Sequence, residues 1–158
     1  MAKKRSIKTV EVAGGVVVDP DGRVAVVQQV DGTWSLPKGR VKKGERRLAA
    51  AYREIRQEIG IPRRRLTLVM KFESYERFSF GKDRILDCRV RKRITLFLFT
   101  TSVREVRTFR HHEIRWAKFV SFFDVPPLLT HPEDQRFLRA QQPAINARIP
   151  IVRSSGVL

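Results

Sequence analysis

The run from Leu48 to Pro62 constrains this chain more than any other. Leu48, Tyr52, Ile55 and Ile59 fall at i, i+4, i+7 and i+11, which puts an apolar stripe on one helix face. The spacing predicts a helix from about Gly44 to Ile59. Gly60 ends it as a left-handed cap, and Pro62 prevents its resumption. A one-sided helix has to bury its stripe against a second layer.

The flanking segments supply that layer. Thr9 to Val18 and Arg23 to Val30 are valine-rich strands, and Asp19-Pro20-Asp21-Gly22 between them is a turn, so the three make a hairpin. Asp31 to Val41, with Gly32, Pro37 and Gly39, is expected as loop. Beyond the helix, Leu66 to Phe78, Ile85 to Phe99 and Ile114 to Val120 read as strands, with a turn over Ser79 to Arg84. A last helix starts after Thr130 with Pro132 in its first turn. These elements make an α/β fold, a mixed β-sheet sandwiched between helices. The expected organisation is a basic tail over 1–8, one domain over 9–142 and an irregular tail over 143–158.

Charge bounds the partners. Lys plus Arg outnumber Asp plus Glu 33 to 16, a net +17, which favours anionic partners without choosing among polyphosphates, nucleic acid or an anionic membrane face. No apolar run approaches the ~18 residues that cross a bilayer, and no apolar segment follows the basic start, so neither membrane span nor secretory signal is expected. Cys88 is the one cysteine, which fits a reducing cytoplasm. His111, His112 and His131 have no metal-ligand spacing with Cys88.

Glu54 and Glu58 stand one turn apart on the helix, with Gln57 on the same side. Taken alone, the pair reads first as a solvated face salt-bridged to Arg47, Arg53 or Arg56. The alternative is a partial shell for a hard cation, since like charges at this spacing repel unless something positive lies between them. The surroundings shift that balance. Gly39, Glu45, Arg53, Glu54, Ile55, Glu58, Gly60 and Ile61 stand at the fixed positions of G-x5-E-x7-R-E-U-x-E-E-x-G-U, where U is aliphatic. The stretch resembles the Nudix box, with one departure: Gln57 stands where the first glutamate of the E-E pair is expected. Trp34-Ser35-Leu36-Pro37-Lys38-Gly39 and Ala13-Gly14-Gly15 are similar to the entry and first strand of that family.

The resemblance implies a Nudix fold and a metal-dependent pyrophosphohydrolase using Mg2+ or Mn2+. Glu54 and Glu58, with the Gly39 carbonyl, Gln57 and Glu113, are the implied metal site. Glu45 and Arg53 form a supporting pair. Glu54, Glu113 and Glu76 are the options for the acid that activates water. Lys38 and Arg40 lie beside Gly39, and Arg89, Arg91 and Arg93 alternate along one strand, so both groups are phosphate-binding candidates. Within the family the chain looks most like diadenosine or diphosphoinositol polyphosphate hydrolases. A dinucleoside polyphosphate or oxidised nucleoside triphosphate is therefore the first substrate expectation. Pyrophosphate removal from RNA 5′ ends is an alternative, and a catalytically weak nucleotide or nucleic-acid binding module is the rival from another class.

Overall fold

The computed structural model describes residues 6–80 and 85–149. The Lys3-Lys4-Arg5 cluster, the Gly81 turn and the chain from 150 onward lie outside them.

Valine-rich alternation yields β1 (Lys8–Val18) and β2 (Arg23–Gln29). They pair antiparallel, and Gly22 supplies the positive φ of 76° that the turn requires. Strand β1 also runs parallel to β7 (Leu86–Thr101), in register from Lys8↔Val90 to Val18↔Thr100. Strand β8 (Ile114–Ser121) adds to the far side of β2. Together with β5 (Leu66–Lys71) and β6 (Tyr75–Phe80), both antiparallel to β7, they form one mixed sheet.

Helix α1 (Arg47–Ile59) covers one face of this sheet, burying Ala50, Ala51, Ile55 and Ile59 against Ala13, Val17, Ala25, Val27, Phe97 and Phe99. Helix α3 (Pro132–Arg148) covers the other, placing Phe137, Leu138 and Ile145 among Val12, Val16, Val24, Val26, Leu96 and Leu98. A short helix, α2 (Val125–Leu128), leads into α3. The expected sandwich is present.

The structure corrects four local expectations. Gly44 adopts a φ of 76°, outside the helical region, so α1 begins at Arg47 and Glu45 lies before it rather than in its first turn. The expected loop 31–41 contains two short strands, β3 (Trp34–Ser35) on β2 and β4 (Lys38–Arg40) on β1. The expected strand 66–78 is broken at Phe72, Glu73 and Ser74. These three face only Thr95 and Leu96 of β7, so one extra residue bulges there while the Phe72 side chain turns into the core. Finally, residues 143–148 are helical, not irregular. Pro143 sits inside α3, and the burial of Ile145 just beyond it holds the helix on past the proline.

Candidate active site

Strand β4 presses against β1 through Val12↔Arg40, Ala13↔Gly39 and Gly14↔Lys38. The approach depends on missing side chains. A Cβ on Gly14 would strike Pro37 and Lys38, and one on Gly15 would strike Ile55 and Phe99. At Gly39 a Cβ would collide with the Glu54 carboxylate. The glycine is therefore what lets the strand backbone and that carboxylate share one place.

Both helix glutamates are buried, Glu54 to 2% exposure and Glu58 to 4%. They line a cleft of about 570 Å³ with Lys38, Gly39, Arg40, Arg53, Arg110 and Glu113. Arg53 ties its wall together. Its Nε donates to Glu45 Oε2 at 2.9 Å, one terminal nitrogen donates to Glu45 Oε1 at 2.8 Å and to the Arg40 carbonyl at 2.9 Å, and the other donates to Glu54 at 2.5 Å. The expected Glu45–Arg53 contact is present, and it holds the Glu45 carboxyl down at about 2. Glu45 thus acts through Arg53.

Glu58 is different. Its Oε1 accepts a long hydrogen bond, 3.4 Å, from the Lys38 backbone N–H, while its buried Oε2 has no hydrogen-bond partner. Burial pushes its carboxyl up to about 8, against the pull of the Lys38 charge and with the help of nearby Glu54. A buried, half-satisfied carboxylate beside a second one is costly unless a cation joins them. Among the described residues no cluster of three or more His, Cys, Asp or Glu gathers to hold a metal alone. The donor set present, two carboxylates, one of them with a free oxygen, beside a bare glycine backbone, fits Mg2+ or Mn2+, whose shell is completed by water and substrate phosphate.

The remaining sequence candidates divide. Lys38, Arg40, Gly39 and Glu113 come to the cleft. Glu113 is 70% exposed at its rim, 3.7 Å from Arg110. Gln57 packs beside Glu54, its side-chain oxygen accepting from Arg110. Arg89, Arg91 and Arg93 are not among the cleft-lining residues. They pair instead with Asp87, Glu76 and Glu11. Glu76, thereby paired, lines a separate depression with Glu133 and Arg136.

The opposite face of β7 carries what the sequence reading missed. Lys92 there stands directly across from Arg77 of β6. Like charges opposed in a sheet repel, and Lys38 adds a third cation. Asp134 at the start of α3 faces them, with Arg77 Nε at 3.3 Å, Lys38 Nζ at 3.9 Å and the Tyr75 hydroxyl donating at 2.6 Å. Burial favours a neutral Asp134, but the Lys38 and Arg77 charges outweigh it and hold its pKa low. Burial, reinforced by Arg77 and Lys38, pushes Lys92 down to about 8. Burial and Arg77 push His131 down to about 4. The Asp134 Oδ2 is buried with no hydrogen-bond partner. This cluster adjoins the cleft through Lys38, whose backbone touches Glu58. Its members are scattered along the chain from Lys38 to Asp134, so only the alternation of β7 could have pointed to Lys92.

Arg110 was missed for the same reason: 53 residues separate it from Gln57. Three aromatic side chains near these clusters are engaged internally. Tyr75 stacks on Phe137 and Phe80 on His131, both at 4.6 Å, and Lys118 lies 4.9 Å from the Trp34 ring. No helix among the described residues is long and apolar enough to cross a membrane.

Comparisons with known proteins agree with this fold. The NUDIX domain model matches residues 8–141. An RNA pyrophosphohydrolase from Pelagibacter ubique is 43% identical over 51 residues, a stretch covering 30% of this chain and 32% of that protein's length. The fold is similar to that of a C. elegans Ap4A hydrolase in a binary complex, with TM-score 0.70, 23% identity, and 87% of this chain and 98% of that one covered. It is also similar to the E. coli dihydroneopterin triphosphate pyrophosphohydrolase, with TM-score 0.70, 22% identity, and 89% and 99% covered. A match that takes in nearly the whole described chain places this protein in the Nudix hydrolase family.

Proposed function

We propose that this protein hydrolyses a phosphoanhydride in a nucleoside diphosphate-linked substrate, with Mg2+ or Mn2+ held by Glu54, Glu58 and the Gly39 carbonyl. The observation that carries the reading is the pair of buried carboxylates against Gly39, with Glu58 Oε2 left without a partner. When bound, the metal supplies charge neutralisation at the phosphate and a lowered pKa for water.

The chain's own groups supply the rest. Arg53 and Glu45 fix the Glu54 carboxylate. Arg53 and Arg110 both bond Glu54, so its carboxylate oxygens are already engaged. Glu113, exposed at the rim of the same cleft, is the better candidate to orient and deprotonate the attacking water. Lys38 and Arg40 at the cleft, with Lys92 and Arg77 behind Lys38, offer more positive charge than Asp134 balances. Such a surplus suits a chain of phosphates. The first substrate choice is a dinucleoside polyphosphate or an oxidised nucleoside triphosphate.

A second reading, removal of pyrophosphate from RNA 5′ ends, is favoured by the Pelagibacter relative and by a depression of about 740 Å³ on the outer side of α1. Its lining, Tyr52, Arg53, Arg56, Gln57, Pro62, Arg63, Arg64 and Phe109, contains no acid. Diphosphoinositol polyphosphates are a third very anionic class. The test is turnover of a panel holding dinucleoside polyphosphates, nucleoside triphosphates, diphosphoinositol phosphates and 5′-triphosphate RNA. The dinucleoside polyphosphate or nucleoside triphosphate is expected to lead in kcat/KM. A lead by RNA moves the assignment to the second reading, and no turnover at all moves it to a binding module.

A further inference from the structure

The one departure from the family pattern, Gln57, has a partner of its own in this chain. One terminal nitrogen of Arg110 donates to Glu54 Oε2 at 2.8 Å. The other reaches Glu54 Oε1 at 3.4 Å and also donates to the Gln57 side-chain oxygen. The guanidinium therefore lies between the side chains of residues 54 and 57, where the family pattern places two carboxylates.

Its position is built in. The Arg107 and Phe109 N–H groups donate to the last-turn carbonyls of Ile59 and Gln57 at 3.2 and 2.9 Å, docking the loop onto the end of α1. Thr108 Oγ1 accepts the Arg110 N–H at 2.9 Å, and the Arg110 carbonyl accepts from Glu113 and Ile114 at 3.0 and 2.8 Å. A Cβ on Gly60 would collide with the Arg107 carbonyl, so the cap glycine is also what admits this loop.

The charges around Glu54 make sense on that footing. Its single negative charge faces two guanidiniums, Arg53 and Arg110. Glutamate at position 57 would add a second negative charge and invite a divalent ion, whereas glutamine offers a neutral oxygen that accepts a guanidinium hydrogen bond. Glu58 stands outside this arrangement, with its Oε2 free.

We propose that Arg110 is an internal cation that occupies the Glu54–Gln57 half of the metal site. This chain then binds fewer divalent ions, or binds them more weakly, than a site with two carboxylates there. The inference rests on the reading of Glu54 and Glu58 as metal ligands. Arg110 is a positioning residue in this account, and the measurement that tests it does not use hydrolysis.

The experiment is Mn2+ titration of the full chain, by calorimetry and by the electron paramagnetic resonance signal of free Mn2+, with folding checked by circular dichroism. The proteins are wild type, Arg110→Ala, Arg110→Gln, the double variant that combines Arg110→Ala with Gln57→Glu, and Glu58→Gln. Removing Arg110 is expected to add a second Mn2+ or to tighten binding at least about fivefold, and the added carboxylate of the double variant to tighten it further. Arg110→Gln decides if Arg110→Ala does not fold, since it removes the charge while keeping a polar side chain. Unchanged stoichiometry with affinity gained less than about fivefold, in folded Arg110 variants, overturns the inference. If those variants match wild type while Glu58→Gln loses the ion, only the role of Arg110 has failed. If Glu58→Gln binds Mn2+ as wild type does, the metal reading has failed and the inference with it.

Discussion

Replacing Glu45 with glutamine tests the clamp that holds the cleft wall. Glu45 accepts two hydrogen bonds from Arg53 and one, at 3.0 Å, from the Lys42 N–H. These draw its carboxyl from 4.5 to about 2, and the Arg53 hydrogen bonds contribute most. A fall of about 2.5 in pKa corresponds to roughly 3 kcal/mol. The pair sits at the rim of the cleft, and solvent screening reduces that to about 1–2 kcal/mol. The sign follows from proton uptake. Between pH 4.5 and about 2 the unfolded chain binds a proton that the folded chain does not. The contribution is therefore full above pH 4.5 and is lost as pH falls toward 2. Urea unfolding of wild type and Glu45→Gln should differ by about 1–2 kcal/mol at pH 7 and by less than half as much near pH 3. A difference that is equal at both pH values, or below about 0.5 kcal/mol at pH 7, would refute the clamp.

Three further outcomes follow from the same geometry. Lys92→Met should raise stability at pH 7 by about 2–3 kcal/mol, because burial beside Arg77 and Lys38 lowers Lys92 from 10.5 to about 8. Wild type, whose folded chain releases that proton first, should gain stability as pH climbs from 8 to 10.5 while the variant does not, and chemical unfolding across that range checks both. Gly39→Ala should lose at least about 1–3 kcal/mol in thermal melts and most Mn2+ affinity, since the new methyl meets the Glu54 carboxylate. Arg89→Ala and Arg91→Ala should leave kcat/KM within about twofold, since both side chains pair away from the cleft. A loss of about tenfold in steady-state assays would return them to the substrate site.

Local signals in the sequence were reliable where one residue type dictates one backbone. Asp19-Pro20-Asp21-Gly22 gave the hairpin, and Gly60 with Pro62 gave the end of α1. The stripe of Leu48, Tyr52, Ile55 and Ile59 gave the buried face, and the spacing of Gly39, Glu54 and Glu58 gave the heart of the cleft. What stayed hidden depends on tertiary pairing. Strands β3 and β4 have two and three residues, too few to show a period, and exist because β2 and β1 pair with them. The alternation of β7 was legible but its useful face was not, because nothing local separates the paired arginines at 89, 91 and 93 from Lys92 between them. Arg110 carries no spacing signal, and only the docking of its loop on α1 brings it to Gln57. Pro143 signals a helix end, but packing of Ile145 overrides it.

The central claim is that Glu54 and Glu58 hold a metal that the hydrolysis requires. Its most direct test is the phosphoanhydride hydrolysis rate of wild type and Glu58→Gln on the best substrate, titrated with Mg2+ from a metal-free start. The account predicts no turnover by wild type without metal and saturable turnover with it, and a loss of about a hundredfold or more in the variant at any Mg2+ concentration. Turnover by wild type without metal, or a Glu58→Gln rate within about threefold of wild type, would contradict it.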